Sequence, residues 1–144
     1  MTRTEYQQIA TLRLDEAELL LTQGKYNGCC YLAGYVLELA LKAAICKAMD
    51  NEDFFDILKN ETLRAFKIHN LKELIILAGL SRKYNNLKVV NPILYDNWLV
   101  IFDEIRWSEQ LRYQMVMTQN NAENMILAIN EPKNGILEWI KNYW

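Results

Sequence analysis

The sequence predicts an all-α protein, an antiparallel up-and-down bundle of four to six helices in one domain covering residues 1–144. Three observations predict it. Apolar residues recur at steps of three and four through most of the chain, and no segment shows the strict alternation of a half-buried strand. Glycine and proline, which break helices, number only five and two in 144 residues. Hydrophobic residues make up 51% of the chain, enough to close a core without disulfides or a structural metal.

The elements follow in order. Thr4 and Glu5 lead into Tyr6, Ile9, Ala10, Leu12, Ala17, Leu20 and Leu21, an amphipathic pattern that ends near Gln23, where Gly24 stops it. Gly24-Lys-Tyr-Asn-Gly28 is a tight connection, so a second helix, from about residue 28 to 50, returns antiparallel to the first. Asp50 to Leu58 predicts a short helix or an irregular cover. Asn70, with Glu73 three residues on, predicts a capping box before Leu74, Ile75, Ile76 and Leu77, and Gly79 ends that helix. Ser81 to Val90 is polar and basic; Asn91-Pro92 then caps and opens a long helix with Leu94, Trp98, Ile101 and Ile105 on one face. Thr118 to Asn121 caps a final helix, which Pro132 breaks between about Asn130 and Gly135.

A formal net charge of −2 gives no global attraction to nucleic acid or to an anionic membrane surface, so any such contact must be local; Arg82, Lys83 and Lys88 form a modest basic cluster. Cys29, Cys30 and Cys46 are an odd set with two neighbours in sequence, the pattern of reduced core thiols rather than a disulfide framework. With His69 the only histidine and no Cys-x-x-Cys pair, a zinc site of the usual kind cannot be assembled in one chain, and no cofactor is implied. The start of the chain lacks the basic and apolar regions of a signal peptide, and no apolar stretch reaches the ~20 residues needed to span a bilayer. The expectation is a cytoplasmic protein without a membrane partner.

The most informative stretch is Tyr31-Leu-Ala-Gly-Tyr35-Val-Leu-Glu38-Leu-Ala-Leu-Lys42. Its two tyrosines, glutamate and lysine fall at steps of four, three and four, on one face of an otherwise apolar helix, so Glu38 and Lys42 should face polar groups rather than open water. Glu38 reads as a catalytic carboxylate, a nucleotide contact or a structural ion-pair partner; structural pairing is favoured, with Arg112 as the expected mate and Lys42 adding a local pair. His69 reads most simply as the residue flanking a capped helix. A second reading uses the spacing Arg64-Ala-Phe-Lys-Ile-His69, an arginine and a histidine suited to metal-free RNA cleavage. Trp98, Trp107, Trp139 and Trp144 offer stacking surfaces for bases, although packing at helical spacings explains them at less cost.

Four pieces in order resemble the HEPN family, the higher eukaryote and prokaryote nucleotide-binding domains. Ala17-Glu-Leu-Leu-Leu with Gly24-Lys-Tyr-Asn27 is similar to the family's first helix and turn, and Tyr31 to Lys42 to its second helix ending in Glu-x-x-Leu-Lys. His69-Asn-Leu-Lys-Glu-Leu74 resembles the His-x-Leu-x-x-Leu element, and Arg112-Tyr113 the Arg-Tyr pair after the later helix; Ile136 to Ile140 resembles the last helix. The resemblance implies a dimerising helical bundle associated with nucleotides, RNA or nucleotidyltransferase partners. Many relatives are metal-independent ribonucleases with an Arg-x4-6-His motif late in the domain, but Met117, Thr118 and Gln119 stand where that histidine would follow Arg112. The leading expectation is therefore a non-catalytic homodimer that binds a nucleotide, RNA or a partner protein through a cleft lined by Tyr35, Glu38, Lys42, Arg112 and Tyr113. The alternatives are a toxin or defence-type ribonuclease acting at a dimer interface through Arg64 and His69, or through Arg112 with a nonstandard base, and a purely structural interaction module, the antitoxin-like or defence-associated companion of a neighbouring gene product.

Overall fold

In the computed structural model, residues 1–57 and 68–144 are described, and every regular element among them is helical. Arg64 lies outside the described residues, and with it the pairing of Arg64 and His69. The elements are α1 (Arg3–Thr22), α2 (Tyr26–Ala48), α3 (Phe54–Ile57), α4 (Leu71–Leu77), α5 (Ser81–Val90) and α6 (Pro92–Leu99). A π-helical turn (Val100–Ile105) extends α6, a 3-10 turn spans Glu109–Tyr113, and α7 (Gln119–Asn130) and α8 (Ile136–Lys141) complete the chain.

Local chemistry explains the boundaries. Thr2 caps α1 with a reciprocal box, its hydroxyl accepting from the Glu5 amide while the Glu5 carboxylate accepts from the Thr2 amide. Gly24, at φ +69°, makes the reversal that folds α2 back along α1. Asn70 caps α4 by accepting from the amides of Lys72 and Glu73; the cap rests on Asn70 alone, without the expected return bond from Glu73. Thr118 and Asn121 form the box that starts α7, and the chain breaks between Asn130 and Ile136, around Pro132 as expected.

The bundle is more finely divided than four to six helices. Gly79, at φ +70°, separates α4 from α5, and Ser81–Val90 is itself helical. It packs through Leu87 and the half-buried Tyr84, three residues apart, while its lysines, arginine and asparagines stay in solvent. That narrow inward face explains why the segment reads as merely polar in sequence.

At the centre lies α2. Cys29, Cys30, Ala33, Val36, Leu37, Ala40, Leu41, Ala44 and Ile45 are buried in one cluster with residues of every other long helix, and α2 touches α1, α3, α4, α7, α8 and the 3-10 turn. Small residues at Ala33, Gly34, Ala40, Ala43 and Ala44 let neighbours approach this closely. By length and composition α2, at 23 residues, is long and apolar enough to cross a membrane, which corrects the expectation that no stretch reaches that length. In this fold 72% of its apolar window is buried inside the protein, so the same surface serves as the core.

Candidate functional site at the Glu38 and His69 pair

Glu38, in the middle of α2, is 2% exposed and is the buried charged residue among those described. Burying a carboxylate is costly unless its oxygens are satisfied, and here both are. The Lys42 ammonium donates to Oε1 at 2.6 Å from one turn along the helix. His69 Nδ1 lies 3.0 Å from Oε1 and 3.0 Å from Oε2. A carboxylate so paired only accepts, so the proton sits on Nδ1 and the ring's other nitrogen, Nε2, is the one left for a ligand.

The expected mate of Glu38 was Arg112, and the structure corrects this. Among the described residues Arg112 forms no ion pair with Glu38; its guanidinium stands over the Tyr113 ring at 4.8 Å and shares a recess with Tyr31. Being exposed, Arg112 never had to neutralise a buried charge; Lys42 and His69 reach Glu38 from α2 itself and from the segment just before α4. The anticipated cleft therefore divides in two. Tyr35, Glu38 and Lys42 stand with His69, whose ring meets the edge of Tyr35 at 6.4 Å. Arg112 lines a separate recess of about 160 Å³ with Asn27, Gly28, Tyr31, Leu111 and Gln114, and Tyr113 is exposed beside it.

Tyr31 and Tyr35 join these two places. Their hydroxyls are 3.4 Å apart, and burial together with that contact raises the Tyr35 phenol well above its ordinary range. Tyr35 also packs edge-on against Trp107 at 5.4 Å. Trp107 in turn lies directly on Gly34, where a Cβ would come within 1.9 Å of its ring, and its indole N–H donates to the Tyr31 carbonyl at 3.1 Å. Glycine in mid-helix costs helix stability, and here the close approach of a tryptophan is what it permits. Further along, the Met117 amide donates to Asn27 Oδ1, so residues 107–117 are strapped across α2.

In front of His69 is a cleft of about 670 Å³, whose walls include Lys72, Glu73, Phe102, Arg106, Trp107 and Glu109. Two backbone features meet at its rim. The α6 helix loosens into the π-helical turn, and Arg106 then takes a left-handed conformation at φ 54°. Left-handed backbone costs a non-glycine residue about 1–2 kcal/mol, and both π-turns and such strained residues concentrate at functional sites. Lys72 lays its ammonium over the Phe102 ring at 4.8 Å. Glu109 is held below the usual carboxylate range, first by a hydrogen bond from its own backbone amide and then by Gln110. The cleft thus carries two fixed cations, two carboxylates and a histidine, a set suited to a ligand with both anionic and hydroxyl groups rather than to a bare polyanion.

Sequence reasoning missed Lys72 and Arg106. Lys72 lies within the segment likened to the His-x-Leu-x-x-Leu element and had no role there; Arg106 had no signal at all, since left-handed positions favour glycine or asparagine. Among the described residues no group of three histidine, cysteine, aspartate or glutamate side chains stands where a metal ion would be held. The three cysteines are buried free thiols.

The class of protein is thus an all-α helical domain organised around a two-helix hairpin with a polar centre on its second helix. That hairpin is the part that resembles a known family: the profile of the HEPN domain matches residues 4–54, from α1 to the start of α3. The resemblances at His69 to Leu74, Arg112-Tyr113 and Ile136 to Ile140 lie beyond the matched segment. No curated protein and no solved structure matches the chain.

Proposed function

We propose that this HEPN-like domain is a non-catalytic binder of a nucleotide or an RNA segment, and that the cleft in front of His69 is where the ligand sits. The observation that carries the reading is the Glu38 and His69 pair: a buried carboxylate fixes the ring by Nδ1 and leaves Nε2 to accept from a ribose hydroxyl. Lys72 and Arg106 supply cations for phosphate, and Glu73 and Glu109 supply acceptors for sugar hydroxyls. Of the five residues expected to line the ligand cleft, Tyr35, Glu38 and Lys42 on this reading support His69, while Arg112 and Tyr113 lie at the separate recess. A homodimer fits the exposed Tyr113, Met115 and Val116, three apolar side chains close together on the strap; a nucleotidyltransferase or another protein partner would use the same surface.

A specific observation favours a second reading, a metal-independent ribonuclease. The Glu38 and His69 arrangement is that of a general base held in one tautomer, with Arg106 in the same cleft to stabilise charge on phosphorus. One experiment separates the readings. Labelled RNA is incubated with the protein in chelator, and binding and cleavage are followed for wild type, His69→Ala and Arg106→Ala. Retention of intact RNA that weakens in both variants supports binding. Cleavage lost in both variants supports the enzyme, and binding unchanged in both removes the cleft from either role.

A further inference from the structure

Beside the cleft is a smaller pocket of about 220 Å³, lined by Lys72, Ile75, Ile76, Ser81, Tyr84 and Asn85. The two are contiguous. Lys72 lines both, and its ammonium lies on Phe102, a wall of the cleft, while the Phe102 ring meets Tyr84, a wall of the pocket, edge to face at 6.1 Å. We propose that this pocket takes the base of the nucleotide whose phosphate lies in the cleft, Lys72 spanning the junction between them.

The chemistry of the two places differs in the way that the two ends of a nucleotide differ. The cleft presents Arg106 and Lys72 to an anion and the His69 Nε2 acceptor to a hydroxyl. The pocket presents two isoleucines and a tyrosine ring, an apolar lining for a flat heterocycle, and at its rim the Ser81 hydroxyl and Asn85 amide. Neither of these polar groups hydrogen-bonds another described residue, so both are available to the edge of a base. An amide that both donates and accepts is suited to reading such an edge. Tyr84 is held in place by Trp98, which meets it edge-on at 5.8 Å and is itself fully buried, so the wall of the pocket is rigid. The shared chemistry is a nucleobase joined to phosphate, whether in a free nucleotide or in one residue of an RNA chain.

This inference rests on the cleft binding phosphate, and the test is arranged so that the two fail separately. Calorimetric titration in chelator compares ribose 5-phosphate, adenosine monophosphate, cytidine monophosphate and a short oligoadenylate on wild type, Ile76→Ser and Arg106→Ala. Ile76 is 63% exposed, so its substitution leaves the fold intact, and the neutral serine leaves the charge of Lys72 one turn away unchanged. The expected result is that at least one nucleotide binds about tenfold more tightly than ribose 5-phosphate, a margin of the size that one well-placed apolar group gives. Ile76→Ser reduces that margin and leaves ribose 5-phosphate unaffected, whereas Arg106→Ala weakens every probe. Equal affinity for ribose 5-phosphate and the nucleotides, or a margin that survives Ile76→Ser in full, overturns the base pocket alone. No binding by any phosphate-bearing probe overturns the pocket and the cleft together. Tighter binding of the oligoadenylate than of the mononucleotide assigns the pocket to RNA, and the reverse assigns it to a free nucleotide.

Discussion

His69 Nδ1 stands 3.0 Å from each carboxylate oxygen of Glu38, joining the segment before α4 to the centre of α2. The two residues carry unequal weight. Glu38 is 2% exposed and Lys42 only 13%, so Glu38→Gln leaves a largely buried ammonium without its counter-charge, whereas His69 is 46% exposed and its loss opens a surface position. Glu38→Gln should lower stability by about 3 kcal/mol, and His69→Ala by about 1 kcal/mol or less. Urea unfolding of both variants measures the order, and a larger loss for His69→Ala would mean that Lys42 is not held by Glu38 alone.

Arg112 is the contrasting case. Its guanidinium is exposed over Tyr113, so Arg112→Ala should change unfolding free energy by no more than about 0.5 kcal/mol. A loss as large as that of Glu38→Gln would restore the expected Glu38 and Arg112 pair.

These two positions, one arginine and one glutamate, show how much the sequence could say. The polar stripe at Tyr31, Tyr35, Glu38 and Lys42 was legible because helical spacing is local, and so was the conclusion that Glu38 must be compensated. Lys42, one turn along the helix, was legible as a partner; the second partner, His69, was not, because it depends on where the chain passes 31 residues later, and an exposed arginine looks the same in sequence as a buried one. Caps at Asn70 and Thr118 and the break around Pro132 were likewise written in adjacent residues. The π-turn and the left-handed Arg106 sit among the buried Ile101, Ile105 and Trp107, and no local pattern in the sequence records them. The base pocket needs α4 and α5 to lie side by side, and α5 itself was hidden by its narrow apolar face.

Gly34 and Gly28 make a matched pair on α2. A Cβ at Gly34 would lie 1.9 Å from the Trp107 ring, which has no room to retreat without pulling the strap off the helix; at Gly28 it would meet only Leu20 Cδ1, at 3.2 Å, the end of a flexible side chain. Gly34→Ala should therefore cost about 2–3 kcal/mol and expose Trp107. Gly28→Ala should be close to neutral, the better helix propensity of alanine, about 1 kcal/mol, offsetting the contact. Thermal unfolding and tryptophan emission, compared with Trp107→Phe to isolate that residue, test both. An undisturbed emission in Gly34→Ala would mean that Trp107 does not rest on the glycine.

Alkaline pH should unfold the protein through buried groups that do not line the cleft. Burial pushes the Tyr6 phenol from 10.0 to about 12, and the Cys29 and Cys30 thiols from 9.0 to about 11 and about 12. Each group keeps its proton longer in the folded chain than in the unfolded one, so the folded state binds more protons once pH passes the unfolded value. The stability these groups contribute is complete below about pH 9 and is lost between there and about pH 12, each group losing roughly 1.4 kcal/mol per pH unit between its unfolded and folded values. Urea midpoints should fall across that window under reducing conditions. The thiols should react with an alkylating reagent only as the protein unfolds, and alkylation at neutral pH without unfolding would contradict their burial.

Arg106 should show a conflict between stability and binding. Its φ of 54° is strained for a side chain with a Cβ and free of strain for glycine, while its side chain is one of the two cations lining the cleft. Among the described residues its guanidinium makes one hydrogen bond, from Nε to the Asp103 carbonyl at 3.3 Å, on an exposed turn. Arg106→Gly should therefore raise unfolding free energy by about 1 kcal/mol through relief of the left-handed backbone. The same change should weaken RNA or nucleotide binding by about tenfold, the loss expected for one charge-assisted hydrogen bond. Arg106→Lys separates the two effects, since it keeps the charge and the strain: its stability should match wild type and its binding should fall only in part. If Arg106→Gly binds as well as wild type, the strain at this position does not serve the cleft. If it is less stable, the turn is held by the arginine side chain rather than by the packing of Ile105 and Trp107.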